Sequence, residues 1–219
     1  MANKAIIAGA SGLIGSSLLD ILLAHPEYSA VLILVRKELP INHTKLTQLV
    51  VDFDSLDDYA TLLTGHAVFC CLGSTRKKTP DFNIYRKIDH DYPVQLAQIA
   101  VKNGINQYHL VSSIGANSAS KVFYTKTKGE TEDDIKKAGL YCLNIYQPSV
   151  LEGKRTESKR LEERIITALM KFINPLLIGS LKKYRSIPAA TVAMAMYKQS
   201  LKNQEGVFIY PSDQIKQLS

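Results

Sequence analysis

The apolar positions of the chain alternate between two periods. Short runs of the type KAIIAGA, AVLILVR, QLVVDF, AVFCCLG, QYHLVSS and YCLNIYQP read as six strands. Between them the apolar residues recur at helical spacing. SSLLDILLAH predicts a helix that stops before Pro26, which cannot continue one. SLDDYATLL predicts a short helix with Ser55 as N-cap and Asp58 at the capping-box position. FNIYRKIDHDYPVQLAQIAVKNG predicts a longer helical stretch, with Pro93 near the start of its second part and Gly104 past its end. FYTKTKGETEDDIKKAG predicts another helix. Strands alternating with helices predict an α/β fold, a doubly wound parallel sheet covered on both faces.

After Pro148 the alternation weakens. TESKRLEERIITALMKFI predicts an amphipathic helix, NPLLIGSLKKYRSIP a loop, AATVAMAMYKQSLKN a helix, EGVFIYP a short strand, and the last residues a short helix. The expectation is one domain over 1–219, a core over 1–150 and a small C-terminal lobe over 151–219 on the substrate side.

Where the first strand gives way to the first helix the chain reads GASGLIG, with glycines at 9, 12 and 15. In that context three glycines predict a phosphate cradle. Gly9 permits the tight turn, Gly12 lets the backbone approach a pyrophosphate, and Gly15 lets helix and strand pack closely. Ser11, Leu13 and Ile14 lie between them, at the helix N-terminus, where free N–H groups and the helix dipole favour an anion. A secretory signal does not fit the same stretch: one lysine precedes it, glycines interrupt it, and it is too short to span a membrane.

Composition narrows the classes. Of the 219 residues, 46% are hydrophobic, enough for a substantial core. The net charge of +7 raises nucleic acid, but the cations fall into separate groups, Arg76–Lys78, Lys154–Arg160 and Lys182–Arg185, without a nucleic-acid-binding motif. They read as solvated surface or as contacts to an anionic cofactor. Three cysteines, two of them adjacent, do not make a disulfide framework, so the expected setting is a reducing cytosol. Cys70 and Cys71 sit in an apolar run as core residues, and the five histidines show no ligand-like spacing, so no metal site is expected.

Two further stretches carry chemistry. The second strand ends in Arg36 and Lys37, about twenty residues past the glycines, where an acidic residue would hold the ribose of NAD. An arginine there takes a 2′-phosphate by charge-assisted bonds, which favours NADP(H) over NAD(H). Asp52 and Phe53, at the expected end of the third strand, stand where an adenine would lie. In VSSIGANSASKVFYTKTKGE, Tyr124 and Lys128 share a helix face. An ammonium beside a phenol favours phenolate and makes tyrosine a usable general acid. Ser113, or its neighbour Ser112, would polarise a carbonyl at the end of the fifth strand.

The stretches GASGLIG, VVDFDSLDDYA, CCLGSTR, IDHDYPVQLAQIA, LVSSIGA, YTKTKGE and QPSVLEGKRTES together resemble the short-chain dehydrogenase/reductase superfamily, in its atypical, extended-like branch and the Tat-interacting protein group within it. The resemblance implies a Rossmann fold and a cofactor held by Gly9, Gly12, Gly15 and Arg36. It places Leu72 and Gly73 on the nicotinamide side, Pro148–Val150 near the nicotinamide amide, and Ser113, Tyr124 and Lys128 in catalysis. Two departures stand out: Asp89 where asparagine is frequent, and Gln147 where arginine is frequent. The expected function is a cytosolic NADP(H)-dependent oxidoreductase acting on a small carbonyl or alcohol. It would be a monomer or homodimer, with no nucleic-acid or membrane partner. The rival readings are an NADPH-binding regulator acting through protein partners and a nucleotide-sugar epimerase or dehydratase.

Overall fold

Seven parallel strands form the frame of the computed structural model, which describes residues 3–153 and 177–219. They are β1 (Asn3–Ala8), β2 (Tyr28–Val35), β3 (Leu46–Val50), β4 (Ala67–Cys70), β5 (Gln107–Val111), β6 (Cys142–Gln147) and β9 (Gly206–Pro211). Their spatial order is β3-β2-β1-β4-β5-β6-β9, so the chain reverses direction across the sheet between β1 and β4. That is the switch point at which doubly wound sheets open a crevice for ligands. A separate two-stranded piece pairs β7 (Leu151–Glu152) with β8 (Ile187–Pro188).

The inner strands are largely apolar because both their faces are covered. Ala5, Ile7, Val31, Ile33 and Phe69 meet α1 (Leu13–Ala24) and α5 (Ala189–Ser200) through Leu18, Leu22, Val192 and Met196. Ile6, Ala8, Leu32, Val68 and Leu110 point the other way, toward α3 (Tyr92–Lys102) and α4 (Phe123–Lys136), and meet Leu96, Ile99 and Ile135. Each such side chain removed from water contributes ~1.5–3 kcal/mol. Among the described residues, the chain beyond Pro148 therefore supplies the core helix α5, the buried Ile215, and the edge strand β9, which pairs with β6 from Cys142↔Gly206 to Gln147↔Pro211. A short helix, α6 (Ser212–Leu218), closes the fold.

Three expectations need correction. The third strand ends at Val50 rather than Phe53, so Asp52 lies beyond it. The short helix after it is a 3₁₀ segment, Phe53–Leu62, capped by Asp52, whose side chain accepts from the Asp54 N–H at 2.9 Å. Ser55 is not its cap: it sits inside with non-helical angles (φ −128°, ψ 39°). The expected loop before α5 contains a 3₁₀ turn, Gly179–Tyr184, and strand β8. The amphipathic helix expected over 156–173 and the cations Lys154–Arg160 lie outside the described residues.

Candidate functional site

A cavity of about 410 Å³ opens at the switch point, beyond the carboxyl ends of β1, β4 and β5. Gly12, Leu13 and Ile14 line one end of it, Leu72 and Gly73 its middle, and Tyr124, Lys128 and Ser112 the other end.

The first end is built from backbone. Gly9 has φ +89°, a left-handed conformation that favours glycine, and a Cβ there would come 2.6 Å from the Cys71 carbonyl oxygen. A Cβ on Gly15 would come 2.2 Å from the Gly9 carbonyl oxygen, so helix α1 touches the strand end where it does only because that residue is glycine. Gly12 is the N-cap of α1 and donates its N–H to the Gly9 carbonyl at 3.0 Å. No side chain caps α1 and its first turn carries no acid, so the N–H groups of that turn face the cavity without a protein anion. This donor set fits a pyrophosphate. Arg36 and Lys37 are exposed, immediately after β2 ends at Val35. Asp52 is exposed and engaged as a cap, and Phe53 is buried against Tyr92 with ring centroids 5.5 Å apart.

The second end is built from buried charge. α2 (Phe82–Arg86) runs into α3 through a π-turn, Lys87–Asp91, which turns Asp89 inward. Side chains of α4 lock the turn: the Thr131 hydroxyl donates to the Asp89 carbonyl at 2.9 Å, and His90 meets Asp134 at 3.1 Å. Asp89, only 1% exposed, faces Lys128 with Nζ 2.8 Å from Oδ1. Its Oδ2 accepts from the Ser74 N–H at 2.7 Å, while Oδ1 meets the Lys128 ammonium. Burial pulls the Lys128 pKa down, but the Asp89 carboxylate, Tyr124 and Cys70 together hold the ammonium above the usual lysine value. Tyr124, one turn before Lys128, is 38% exposed at the cavity wall.

The two serines diverge. Ser112 lines the cavity but donates its hydroxyl to the buried carboxylate of Glu132. Gln147 donates to the same carboxylate at 2.9 and 3.1 Å. Ser113 is half-buried, with its hydroxyl directed to the Ile114 carbonyl at 3.3 Å. Pro148 is buried and its carbonyl accepts from Ile114; Val150 is exposed and its carbonyl accepts from Ile187. Neither of these two lines the cavity, whereas Leu151 does. Burial pushes the Cys70 and Cys71 thiols up, so neither is a thiolate.

Sequence reasoning did not place Ser74, Thr75, Arg76, Lys78 and Tyr85 at the site, and these also line the cavity. The Tyr85 hydroxyl donates to the Ser74 carbonyl at 3.1 Å and fixes the loop. The signal available was the basic run after a strand end at the switch point. Among the described residues no helix is long and apolar enough to cross a membrane, and no three His, Cys, Asp or Glu residues are grouped as metal ligands.

Comparison with known proteins places this geometry. The family described as NAD(P)H-binding matches residues 9–168. Protein HTATIP2 of Rattus norvegicus is 35% identical over 201 residues, covering 90% of this chain and 81% of that protein. The mitochondrial protein FMP52 of Saccharomyces cerevisiae is 35% identical over 159 residues, covering 71% and 68%. Among solved structures, the Bordetella bronchiseptica enzyme WbmH in complex with NAD+ superposes with a TM-score of 0.72 at 18% identity, over 99% of this chain and 79% of that one, a likeness of fold. The FMP52 relatives from three fungi are named mitochondrial, which overturns the expected cytosolic location. The expectation rested on unpaired cysteines, and these report a reducing compartment rather than which one.

Proposed function

Since the chain belongs to the NAD(P)H-binding family and to the short-chain dehydrogenase/reductase-like group of HTATIP2 and FMP52, we propose that it is an NADP(H)-dependent oxidoreductase acting on a carbonyl or alcohol. The observation that carries the reading is the pairing, in one cavity, of an uncapped glycine-built helix terminus with a Tyr124–Lys128 face. Gly9, Gly12 and Gly15, with the N–H groups near Ser11, Leu13 and Ile14, would hold the pyrophosphate. Arg36, with Lys37 beside it, would hold the 2′-phosphate, and Asp52 and Phe53 would border the adenine. Leu72 and Gly73, which line the cavity, would border the nicotinamide side. When bound, the cofactor supplies or accepts the hydride.

The chain's own residues supply the rest. The Tyr124 hydroxyl gives its proton to the carbonyl oxygen as that oxygen gains charge, and Lys128 favours the phenolate left behind. Asp89 fixes the Lys128 ammonium from the far side. Ser113 would orient the carbonyl in this reading, which requires its hydroxyl to leave the Ile114 carbonyl, since Ser112 and not Ser113 lines the cavity. Ser112, tied to Glu132, braces the strand end instead.

One experiment tests it: NADPH and NADH titration by nicotinamide fluorescence, then carbonyl-dependent NADPH oxidation, for the parent, Tyr124→Phe and Arg36→Ala. Tyr124→Phe should keep NADPH affinity and lose about 10²–10⁴ in turnover. Arg36→Ala should weaken NADPH by about ten- to a hundredfold and leave NADH nearly unmoved. A parent that binds NADPH but turns over no carbonyl favours the regulator, and NAD held through purification favours the epimerase.

A further inference from the structure

The charge lining the cavity is unbalanced. Arg76, Lys78 and Lys128 line it, and Asp89 is the sole acidic residue among the described lining residues. Both Asp89 oxygens are spoken for, one by Lys128 and one by the Ser74 N–H. Among the described residues, Arg76 and Lys78 are therefore left facing the cavity without a further carboxylate lining it to neutralise them.

Their position matters as much as their sign. The Arg76 guanidinium lies 3.6 Å from the centre of the Phe82 ring and donates to the Pro80 carbonyl. Phe82 packs edge-on against Phe123, centroids 4.5 Å apart, and Tyr85 meets Phe123 at 5.6 Å. Phe123 directly precedes Tyr124. This chain of contacts anchors Arg76 at the Tyr124 end of the cavity. The cofactor's phosphates have donors elsewhere: the uncapped first turn of α1 at the opposite end, and Arg36 after β2. A stacked arginine keeps its remaining N–H donors free for a planar or tetrahedral anion.

Resting on the oxidoreductase reading above, we propose that the substrate is a carbonyl compound carrying an anionic group, a carboxylate or a phosphate, received by Arg76 and Lys78 while Tyr124 meets the carbonyl. Tyr85, which lines the cavity and is backed by Phe123, gives the intervening part of the molecule an apolar surface.

The test uses para-carboxybenzaldehyde, its neutral methyl ester and para-formylphenyl phosphate. Reduction is followed by NADPH oxidation in the parent, Arg76→Gln, Lys78→Gln, the double variant and Arg76→Lys, and NADPH affinity is measured on each. Both side chains are exposed, so the variants should fold. The parent should prefer an anionic aldehyde to the ester by about ten- to a hundredfold in kcat/KM. Whichever of carboxylate and phosphate is preferred names the group. The double variant should lose that preference at unchanged NADPH affinity, and Arg76→Lys should keep part of it. Equal rates on acid and ester, or a preference that survives in the double variant, would overturn the proposal. So would a loss of NADPH affinity, which would give these cations to the cofactor. If no aldehyde is reduced, calorimetric titration of the acid and the ester into NADPH-loaded protein separates the two readings. Binding of the acid alone, lost in the double variant, upholds the anion subsite and rejects the oxidoreductase. No binding, or equal binding of the ester, rejects the subsite.

Discussion

The two ends of the cavity solve different problems with different materials. At Gly9–Gly15 nothing is charged; the work is done by backbone that approaches closer than any side chain allows, with a Cβ on Gly15 falling 2.2 Å from a carbonyl oxygen. At Asp89–Lys128 two opposite charges, 1% and 7% exposed, are held 2.8 Å apart inside the protein. The first end is intolerant of volume and, at its uncapped helix terminus, receptive to an anion. The second is intolerant of charge imbalance, because an unpaired ion in a dry interior has no solvent to turn to.

Breaking the contrast at its strongest point should give the largest effect. Asp89→Ala strands the Lys128 ammonium, and urea unfolding should show a loss of about 3–5 kcal/mol. Removing the second charge as well, in Asp89→Ala/Lys128→Met, should return much of it, which mere loss of packing would not allow. Gly15→Ala adds one methyl group and no charge. It should cost about 1–3 kcal/mol by overpacking and weaken NADPH binding by displacing α1. If it unfolds no more readily than the parent, the close helix–strand contact is not what that glycine serves.

A smaller effect sharpens the same contrast from a third position. His109 on β5 is fully buried, stacked on Phe69 at 4.7 Å, with its ring nitrogens 3.1 Å from the Tyr146 hydroxyl and 3.0 Å from Gln107. Burial, with a lesser push from His66, lowers its pKa to about 3. Unlike Asp89 and Lys128, it stays neutral. The unfolded chain takes up a proton near pH 6.5 that the folded chain refuses until about pH 3. Stability should therefore fall as pH drops through that window, by about 2 kcal/mol between pH 7 and pH 5 from this group. His109→Gln, though less stable overall, should show a shallower dependence in denaturant titrations at the two pH values. An equal slope in both proteins would remove the assignment.

The same division explains what was legible in the sequence. The strands, α1 and the glycine turn could be read because apolar periodicity and the need for positive φ at Gly9 are local properties. Tyr124 and Lys128 could be read because four residues on a helix always share a face. Asp89 could be noticed as a departure, but its pairing with Lys128 depends on a π-turn locked by Thr131 and Asp134 from another helix, and no local pattern encodes that. Ser55 failed as a cap because Asp52, three residues earlier, reached the free N–H first. The cations Arg76–Lys78 could be read only as solvated surface or as contacts to an anionic cofactor, since only the tertiary fold brings Arg76 and Lys78 over the switch point.

The place of α5 bears on how the protein comes into being. Its residues 189–200 complete the core over β1 and α1, and the Tyr28 hydroxyl donates to Ser200, 172 positions later. A ribosome adding roughly 5–20 residues per second needs about 10–30 s to travel from the end of α1 to α5. Throughout that interval Leu18, Leu22, Val31 and Ile33 lack the layer that covers them in the finished protein. The nascent chain thus carries a sticky, half-covered sheet for most of its synthesis, a ready client for a chaperone that binds apolar surface as it emerges.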